Sequence, residues 1–363
     1  MPALAATTAL LWSSLLAQAA LPAELRDTWT AYRRVYVSAD GRVIDYRNGS
    51  ISTSEGQAYA LVRALWVGDR PTFDLVLGWT LRNLQAGELD RLPAWKWGQS
   101  PEGAWGVLDA QPASDADQLI IWALLGAADL WEDAGYRARA RALFEPLWEQ
   151  EVAEVGDRLV LLPGPWARGG DPVRINPSYL MPFVWRDFAR ADPGRPWTRL
   201  LDDGYRLLAD CRSPSGLPVD WCYLDATTAK VVPAPEAAHA DFGFEAFRVG
   251  WTLAAEVKWH RERRARALLG AFVNLLSRPA RPVKVPGVIH PDGSAAVDWE
   301  YPGMEGALVP AWAIRRPAAA RRMWEERIVP LRAEHGWGDP NDYYGQNWIW
   351  FGLALWQSKE RPA

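Results

Sequence analysis

Two adjoining segments of the chain indicate the fold, EGQAYALVRALW at residues 55–66 and PTFDLVLGWTLRNLQ at residues 71–85. Wound as an α-helix, the first segment is apolar nearly all round, so it must be buried on every side. The second segment has an apolar and a polar face, which is typical of a helix that covers another one from outside. The pair therefore predicts an inner and an outer helix.

The same alternation recurs along the chain and predicts twelve helices of the two types. The outer type is predicted at residues 24–38, 71–85, 136–154, 196–211, 261–277 and 317–333, and the inner type at residues 55–66, 115–131, 176–190, 243–256, 304–316 and 343–357. Six helical hairpins closed in a ring would form an all-α (α/α)6 barrel. The inner helices of such a ring run parallel, so polar residues at their N-termini converge on one cleft.

Short β-hairpin insertions are expected between the helices. Residues 159–162, 217–232 and 283–299 are predicted as strands or hairpins, with Asp292-Gly293 as the turn of the last. No stretch resembles a linker, so residues 21–363 are predicted to form a single domain.

The N-terminus predicts export. An apolar stretch over residues 3–20 ends in Ala17-Gln18-Ala19, a small-x-small cleavage pattern, although Lys and Arg are absent before it. We interpret residues 1–20 as a cleaved signal peptide, and a periplasmic or secreted protein without stable membrane insertion is expected; an uncleaved anchor is the alternative. Export makes Cys211 and Cys222 candidates for a disulfide bond, with two separate thiols as the alternative.

Composition excludes several classes of function. With 40 Lys and Arg against 44 Asp and Glu, the net charge is −4, and a nucleic-acid partner is not expected. The four histidines are dispersed, so no metal site is predicted, and no glycine pattern for a phosphate-binding cofactor is present in the sequence. The 23 tryptophans exceed what one core needs and favour a protein that stacks sugar rings.

Carboxylates stand at the starts of two predicted inner helices. Ser52-Thr53-Ser54-Glu55 and Ser114-Asp115-Ala116-Asp117 both follow the pattern of a capping box, in which the acidic side chain bonds back to the helix start. On spacing alone, plain capping is an alternative to catalysis.

Several motifs, in order, resemble glycoside hydrolase family 8. The resemblance is carried by residues 52–59 (STSEGQAY) and 113–117 (ASDAD), and by similar stretches at residues 40–45, 92–98 and 176–179. It extends from about residue 28 to 355, and within the family it is greatest to the periplasmic endoglucanases of bacterial cellulose-synthesis operons. It implies a catalytic (α/α)6 barrel that hydrolyses β-1,4-linked polysaccharides with inversion at the anomeric carbon.

The resemblance also implies roles for particular residues. Glu55 matches the general acid, and Asp115 matches a second catalytic residue that holds the sugar ring. Glu245 stands where the family usually has a catalytic base, Asp, and it could instead be a helix-start carboxylate paired with Arg248. The alternatives for the base are Asp220, Asp241 and Asp342.

An acid must hold its proton, whereas a helix N-terminus favours the carboxylate. We therefore expect apolar cover and the charge of Asp115 to raise the pKa of Glu55.

A further set of residues is expected to bind substrate, because its members lie in loops or at inner-helix starts. They are Trp95, Trp97, Trp105, Trp166, Tyr179, Trp221, Arg248, Tyr343 and Tyr344. For each aromatic residue, ordinary packing is the alternative to sugar binding.

The expected function is a secreted endo-β-1,4-glucanase that acts on cellulose, with the cellulose synthase export complex as a partner. The alternatives are a family 8 xylanase or chitosanase, and a non-catalytic glucan-binding component of the export machinery.

Overall fold

Paired helices form a ring in the computed structural model, which describes residues 21–276, 284–358 and 361–362. The predicted signal peptide at residues 1–20 lies outside the described residues. In chain order the helices are α1 (Ala23–Tyr36), α2 (Ser54–Val67), α3 (Arg70–Asn83), α4 (Ser114–Leu130), α5 (Ala134–Glu151), α6 (Pro182–Ala191), α7 (Trp197–Asp210), α8 (Phe247–His260), α9 (Arg263–Leu268), α10 (Gly270–Leu275), α11 (Pro302–Ala313), α12 (Pro317–Met323) and α13 (Tyr343–Gln357).

The six inner helices are α2, α4, α6, α8, α11 and α13, and each packs against the next around the ring. The last closes on the first, since Arg63 in α2 donates a 3.0 Å hydrogen bond to Asn347 in α13, and the rings of Tyr59 and Trp348 meet edge to face. The other helices cover the ring from outside. The predicted (α/α)6 barrel is thus confirmed.

Some predicted inner helices begin later than their patterns suggest. Helix α6 begins at Pro182 instead of residue 176, because Asn176 accepts the N–H of Ser178 and closes a separate 3₁₀ turn over Pro177–Tyr179. Helix α8 begins at Phe247, after a turn at residues 243–246.

The outer helices differ more from their patterns. Described residues of the predicted helix 261–277 form two short helices, α9 and α10, while residue 277 lies outside the description. The predicted helix 317–333 continues past α12 only as π and 3₁₀ turns, where Pro330 lacks the N–H that an α-helix needs. The predicted helix 136–154 ends at Glu151, because a strand follows.

Small antiparallel sheets lie between the helices. Their strands are β1 (Ser52–Thr53), β2 (Lys96–Gln99), β3 (Trp105–Asp109), β4 (Val152–Val155), β5 (Arg158–Leu161), β6 (Val173–Ile175), β7 (Cys222–Leu224), β8 (Val231–Val232), β9 (Arg332–Ala333) and β10 (Gly336–Trp337). They pair as β1–β2–β3, β4–β5, β6–β7–β8 and β9–β10.

Two of the three strand predictions are confirmed, since β5 overlaps all but the last residue of the first, and β7 and β8 lie in the second. The described part of the third, residues 284–299, forms isolated bridges, with the turn closed by a bond from the N–H of Gly293 to the carbonyl of His290. The β1–β2–β3 sheet was not predicted.

A disulfide bond joins Cys211, directly after α7, to Cys222, the first residue of β7, with their Cα atoms 5.7 Å apart. The alternative of two separate thiols is therefore wrong. Within the described residues, the helices are all too short or too polar to cross a membrane.

Candidate active site

Glu55 and Asp115 occupy equivalent places, the second residue of α2 and of α4. The cap of α2 is Thr53, whose Oγ1 accepts the N–H of Gly56 at 3.0 Å. The carboxyl group of Glu55 instead accepts hydrogen bonds from Arg248 and, at 3.4 Å, from the hydroxyl of Tyr343. Capping is thus done by a neighbour, and Glu55 faces the end of the barrel.

A single guanidinium group connects the three acidic residues. Arg248, in the first turn of α8, is 4% exposed. Its Nη1 donates to Glu55 Oε2 at 3.2 Å and to Asp115 Oδ2 at 3.1 Å, and its Nη2 donates to Glu245. Asn176 Nδ2 donates to the same oxygen of Glu245 at 2.9 Å. Residues from three inner helices and two loops thus meet at the N-terminal end of the ring.

The surroundings of Glu55 favour its protonated form. Burial raises the pKa of Glu55 to about 8, the negative charge of Asp115 raises it as well, and Arg248 opposes both effects. The expected causes, apolar cover and the Asp115 charge, are both present. At neutral pH Glu55 therefore holds a proton that it could give to a bound molecule.

An open cleft with a volume of about 760 Å³ lies directly above these carboxyl groups. Four of the aromatic residues predicted to bind substrate line it: Trp95, Tyr179, Tyr343 and Tyr344. Burial raises the pKa of the three tyrosines well above its usual value, so their hydroxyl groups stay neutral and can donate hydrogen bonds.

The remaining predicted aromatics lie beside the cleft. Trp97 stacks on Trp105 with ring centroids 5.2 Å apart, and Arg42 lies over both rings. Elsewhere beside the cleft, the ring centroid of Trp221 lies 6.4 Å from those of both Tyr179 and Trp166. Trp105 and Trp166 are each 49% exposed, so both offer a ring face or edge to solvent.

Asp220 is held by backbone. Its Oδ1 accepts the N–H groups of Gly243, Glu245 and Ala246 at 3.0, 3.1 and 2.8 Å. Burial raises the pKa of Asp220 to about 6 in spite of these bonds.

Asp241 pairs with His290 at 3.1 Å, and Asp342 caps α13 by accepting the N–H of Gly345 at 3.0 Å. Among the four candidates for the base, Glu245 is the one that shares the guanidinium of Arg248 with Glu55.

Three further residues of the site, Tyr59, Tyr301 and Asn176, were not predicted from the sequence. Tyr301 lines the cleft and stands at the N-cap of α11. Because other site residues also stand at the starts of inner helices, this position could have identified Tyr301 from the sequence. Tyr59 lies one helical turn beyond Glu55, with its hydroxyl 3.5 Å from Arg248. Among the described residues, no group of three or more His, Cys, Asp or Glu side chains could hold a metal ion.

The chain is similar to known glycosyl hydrolases and endoglucanases. The family model described as glycosyl hydrolases family 8 matches residues 1–278. An endoglucanase of Escherichia coli (strain K12) is 40% identical over 215 residues, which are 57% of this chain and 58% of the relative. One of Xanthomonas axonopodis pv. citri is 42% identical over 212 residues, 56% of this chain and 54% of the relative. The match thus spans little more than half the length of these relatives.

Solved structures match over more of the chain. The endo-1,4-D-glucanase of Vibrio fischeri ES114 superposes with a TM-score of 0.80 at 29% identity, covering 91% of this chain and 94% of that one. An endoglucanase of Klebsiella pneumoniae, described as a family 8 glycosyl hydrolase, gives a TM-score of 0.75 at 27% identity, covering 92% and 99%.

Proposed function

Because the chain belongs to glycosyl hydrolase family 8, we propose that it is an endo-β-1,4-glucanase that hydrolyses cellulose-type glucan by an inverting acid–base mechanism. The observation that carries the proposal is the arrangement of Glu55, Asp115 and Glu245 around Arg248 at the floor of an open cleft.

Glu55 is the proposed general acid. With a pKa of about 8 it is protonated at neutral pH, and it can donate that proton to the glycosidic oxygen as the bond breaks. Arg248 and Tyr343 hold its two carboxyl oxygens, so the proton donor keeps a fixed orientation.

Glu245 is the proposed base that activates water. Arg248 and Asn176 hold its carboxylate, and its side chain is 29% exposed, so solvent can reach it. An inverting enzyme needs room for that water, with carboxyl groups about 6.5–9.5 Å apart against about 5–5.5 Å in a retaining enzyme. Glu55 and Glu245 contact different nitrogens of one guanidinium, so the two carboxyl groups occupy separate places around Arg248.

Asp115 is the proposed holder of the sugar ring at the cleavage point. Its Oδ1 accepts the N–H of Ala116 at 2.9 Å, and its Oδ2 accepts from Arg248. This charge also helps to keep Glu55 protonated, so Asp115 serves the acid as well as the ring.

A polymeric substrate fits the distribution of exposed aromatic rings. In the part of the chain that the structure describes, the most exposed aromatic side chains are Tyr46, Trp105, Trp166, Phe244 and Trp299, at 42–49% exposure. Phe244 lines the cleft, Trp299 contacts Phe244, and Tyr46 lies between two lining residues. Trp105 and Trp166 lie farther out, each against another tryptophan beside the cleft. Sugar rings offer flat apolar faces to such side chains. Rings on several sides of an open cleft suit a long chain cut internally.

Export and association with the cellulose synthase export complex are further parts of the proposal. The apolar N-terminus and the disulfide bond support export, since disulfides persist in oxidising compartments. The mature chain is then expected to begin near Ala20, which N-terminal sequencing of secreted protein would test; a full-length chain retained in the cytoplasm would contradict it.

The test of the activity is reducing-sugar release from carboxymethyl cellulose, xylan and chitosan. We expect release from carboxymethyl cellulose above the other two and at least about 100-fold loss in Glu55→Gln. Glu325→Gln, the same change at an exposed site on an outer turn, serves as the control and should match the wild type. Faster release from xylan or chitosan would show that this polysaccharide, and not cellulose, is the preferred substrate. Release from none of the three would contradict the hydrolase and favour a non-catalytic glucan-binding protein.

A further inference from the structure

The turn that carries Glu245 is capped by a residue from another part of the chain. The N–H groups at the start of a helix have no partner within the helix and are usually satisfied by a side chain at its N-cap. Ala246, at the N-cap of α8, has no polar side chain to do this. Asp220 supplies it instead, since its Oδ1 accepts three N–H groups of the turn within 3.1 Å.

The segment that carries Asp220 is itself anchored. The N–H of Asp220 donates to the carbonyl of Asp241 at 2.8 Å, and that of Trp221 donates to His239 at 2.9 Å. The next residue, Cys222, is fixed by its disulfide bond to Cys211. The carboxylate therefore projects from a segment, directly before β7, that hydrogen bonds and a disulfide hold in place, which gives the turn a rigid support.

The turn also fits closely against this carboxylate. A Cβ atom added to Gly243 would lie 2.7 Å from Asp220 Oδ2, so only glycine leaves the carboxylate in place. The hydroxyl of Tyr344, in α13, also donates to the carbonyl of Phe244 at 2.9 Å. Hydrogen bonds from two other parts of the chain thus hold the backbone next to Glu245.

We propose that Asp220 is a positioning residue for hydrolysis, which fixes the backbone of Glu245 so that the base keeps its place relative to Glu55. The inference rests on the proposed role of Glu245 as the base. A glutamate has one more rotatable bond than the aspartate usual at this position in the family, so its carboxylate depends more on a fixed backbone. Arg248 and Asn176 hold the carboxylate end, and Asp220 holds the backbone end.

Three variants test the proposal on carboxymethyl cellulose. Asp220→Ala removes the acceptor and should lower kcat by about 100-fold with KM changed less than about threefold, because a base displaced by about an ångström loses that much rate. Asp220→Asn keeps an acceptor oxygen and should restore kcat to within about tenfold of wild type. Gly243→Ala pushes the carboxylate away and should lower kcat like Asp220→Ala.

Asp225→Ala is the matched control. Asp225 also accepts backbone N–H groups, those of Thr227 and Thr228 at 3.1 and 2.8 Å, but in an exposed turn away from the cleft. Its loss should leave kcat unchanged. Thermal unfolding of each variant identifies any variant that does not fold. If Asp220→Ala does not fold, the kcat values of Asp220→Asn and Gly243→Ala test the positioning role instead.

Two results would overturn the inference: Asp220→Ala with kcat within about threefold of wild type, or Asp220→Asn as impaired as Asp220→Ala. Glu245→Ala, measured alongside, separates this inference from the proposed function. If Glu245→Ala stays active, the base is elsewhere and the role proposed for Glu245 fails, together with the positioning role of Asp220 that rests on it. If it is inactive while Asp220→Ala is normal, only the positioning role fails.

Discussion

Replacing Glu55 by glutamine should abolish activity and stabilise the fold at the same time. The folded protein raises the pKa of Glu55 from 4.5 to about 8, so between these pH values the folded state holds a proton that the unfolded chain releases. As the pH rises above 4.5, the folded protein must either keep this proton or bury the charged carboxylate, and both lower the free energy of unfolding. Glutamine has nearly the same shape as the protonated acid and carries no such cost.

The magnitude follows from the pKa. At pH 7 the solution is 2.5 units above the usual pKa of 4.5, and each unit corresponds to about 1.4 kcal/mol, which gives about 3.5 kcal/mol. Because the Glu55 side chain is 22% exposed, about 2 kcal/mol is the gain we expect. The gain should be near zero below pH 4.5, rise up to pH 8 and stay constant above it.

Urea unfolding of wild type and Glu55→Gln at pH 4.5, 6, 7 and 8 measures this difference. Glu325→Gln, on the outer surface, should track the wild type at every pH. Either of two results would refute the reasoning: a variant that is less stable than wild type at pH 7, or a stability difference that does not change with pH.

Four further predictions follow from the same structure. Turnover of carboxymethyl cellulose should decline above about pH 8 as Glu55 loses its proton, and undiminished activity two units higher would contradict its role as acid. Glu245→Ala should abolish turnover and Glu245→Asp should retain a good part of it, while proton NMR should show the α-anomer as first product; a β-anomer would overturn inversion. Arg63→Ala should lower the free energy of unfolding, measured with urea, by about 3 kcal/mol, because it leaves a cavity between buried aromatic rings and removes the donor to Asn347 Oδ1; a loss under about 1 kcal/mol would refute this. Replacing Cys211 and Cys222 by serine should cost about 3 kcal/mol in the same assay, and an unchanged midpoint would show that the loop needs no crosslink.

The ring of helices could be predicted because its inner members carry an unusual local pattern. Helix α13, with Trp348 and Phe351 on one face and Trp350 on another, can only lie inside. The exact helix starts could not be predicted in the same way. At Asn176 a polar residue followed by proline looks like a helix cap, yet the side chain closes a separate turn and α6 begins six residues later. Local sequence does not distinguish these two uses of one asparagine.

The site was predictable where its residues stand in local motifs. Glu55 and Asp115 belong to helix-start patterns, whereas the contact of Arg248 with Glu55 joins residues 193 positions apart in the chain. Asp220 illustrates the remaining limit. Its acidity made it a candidate base, but its partners are N–H groups more than 20 residues away, which no spacing within its own segment indicates.

Closure of the ring by its first and last inner helices has a consequence for how the chain is made. Arg63 and Asn347, which join α2 to α13, are separated by 284 residues. At about 5–20 residues per second, synthesis leaves α2 without this partner for on the order of 15 to 60 s. Over that time its apolar surface must be shielded from other chains. The hydrogen bond from Tyr343 to Glu55 forms only when α13 docks, so the proposed acid lacks this partner until residue 343 has been synthesised.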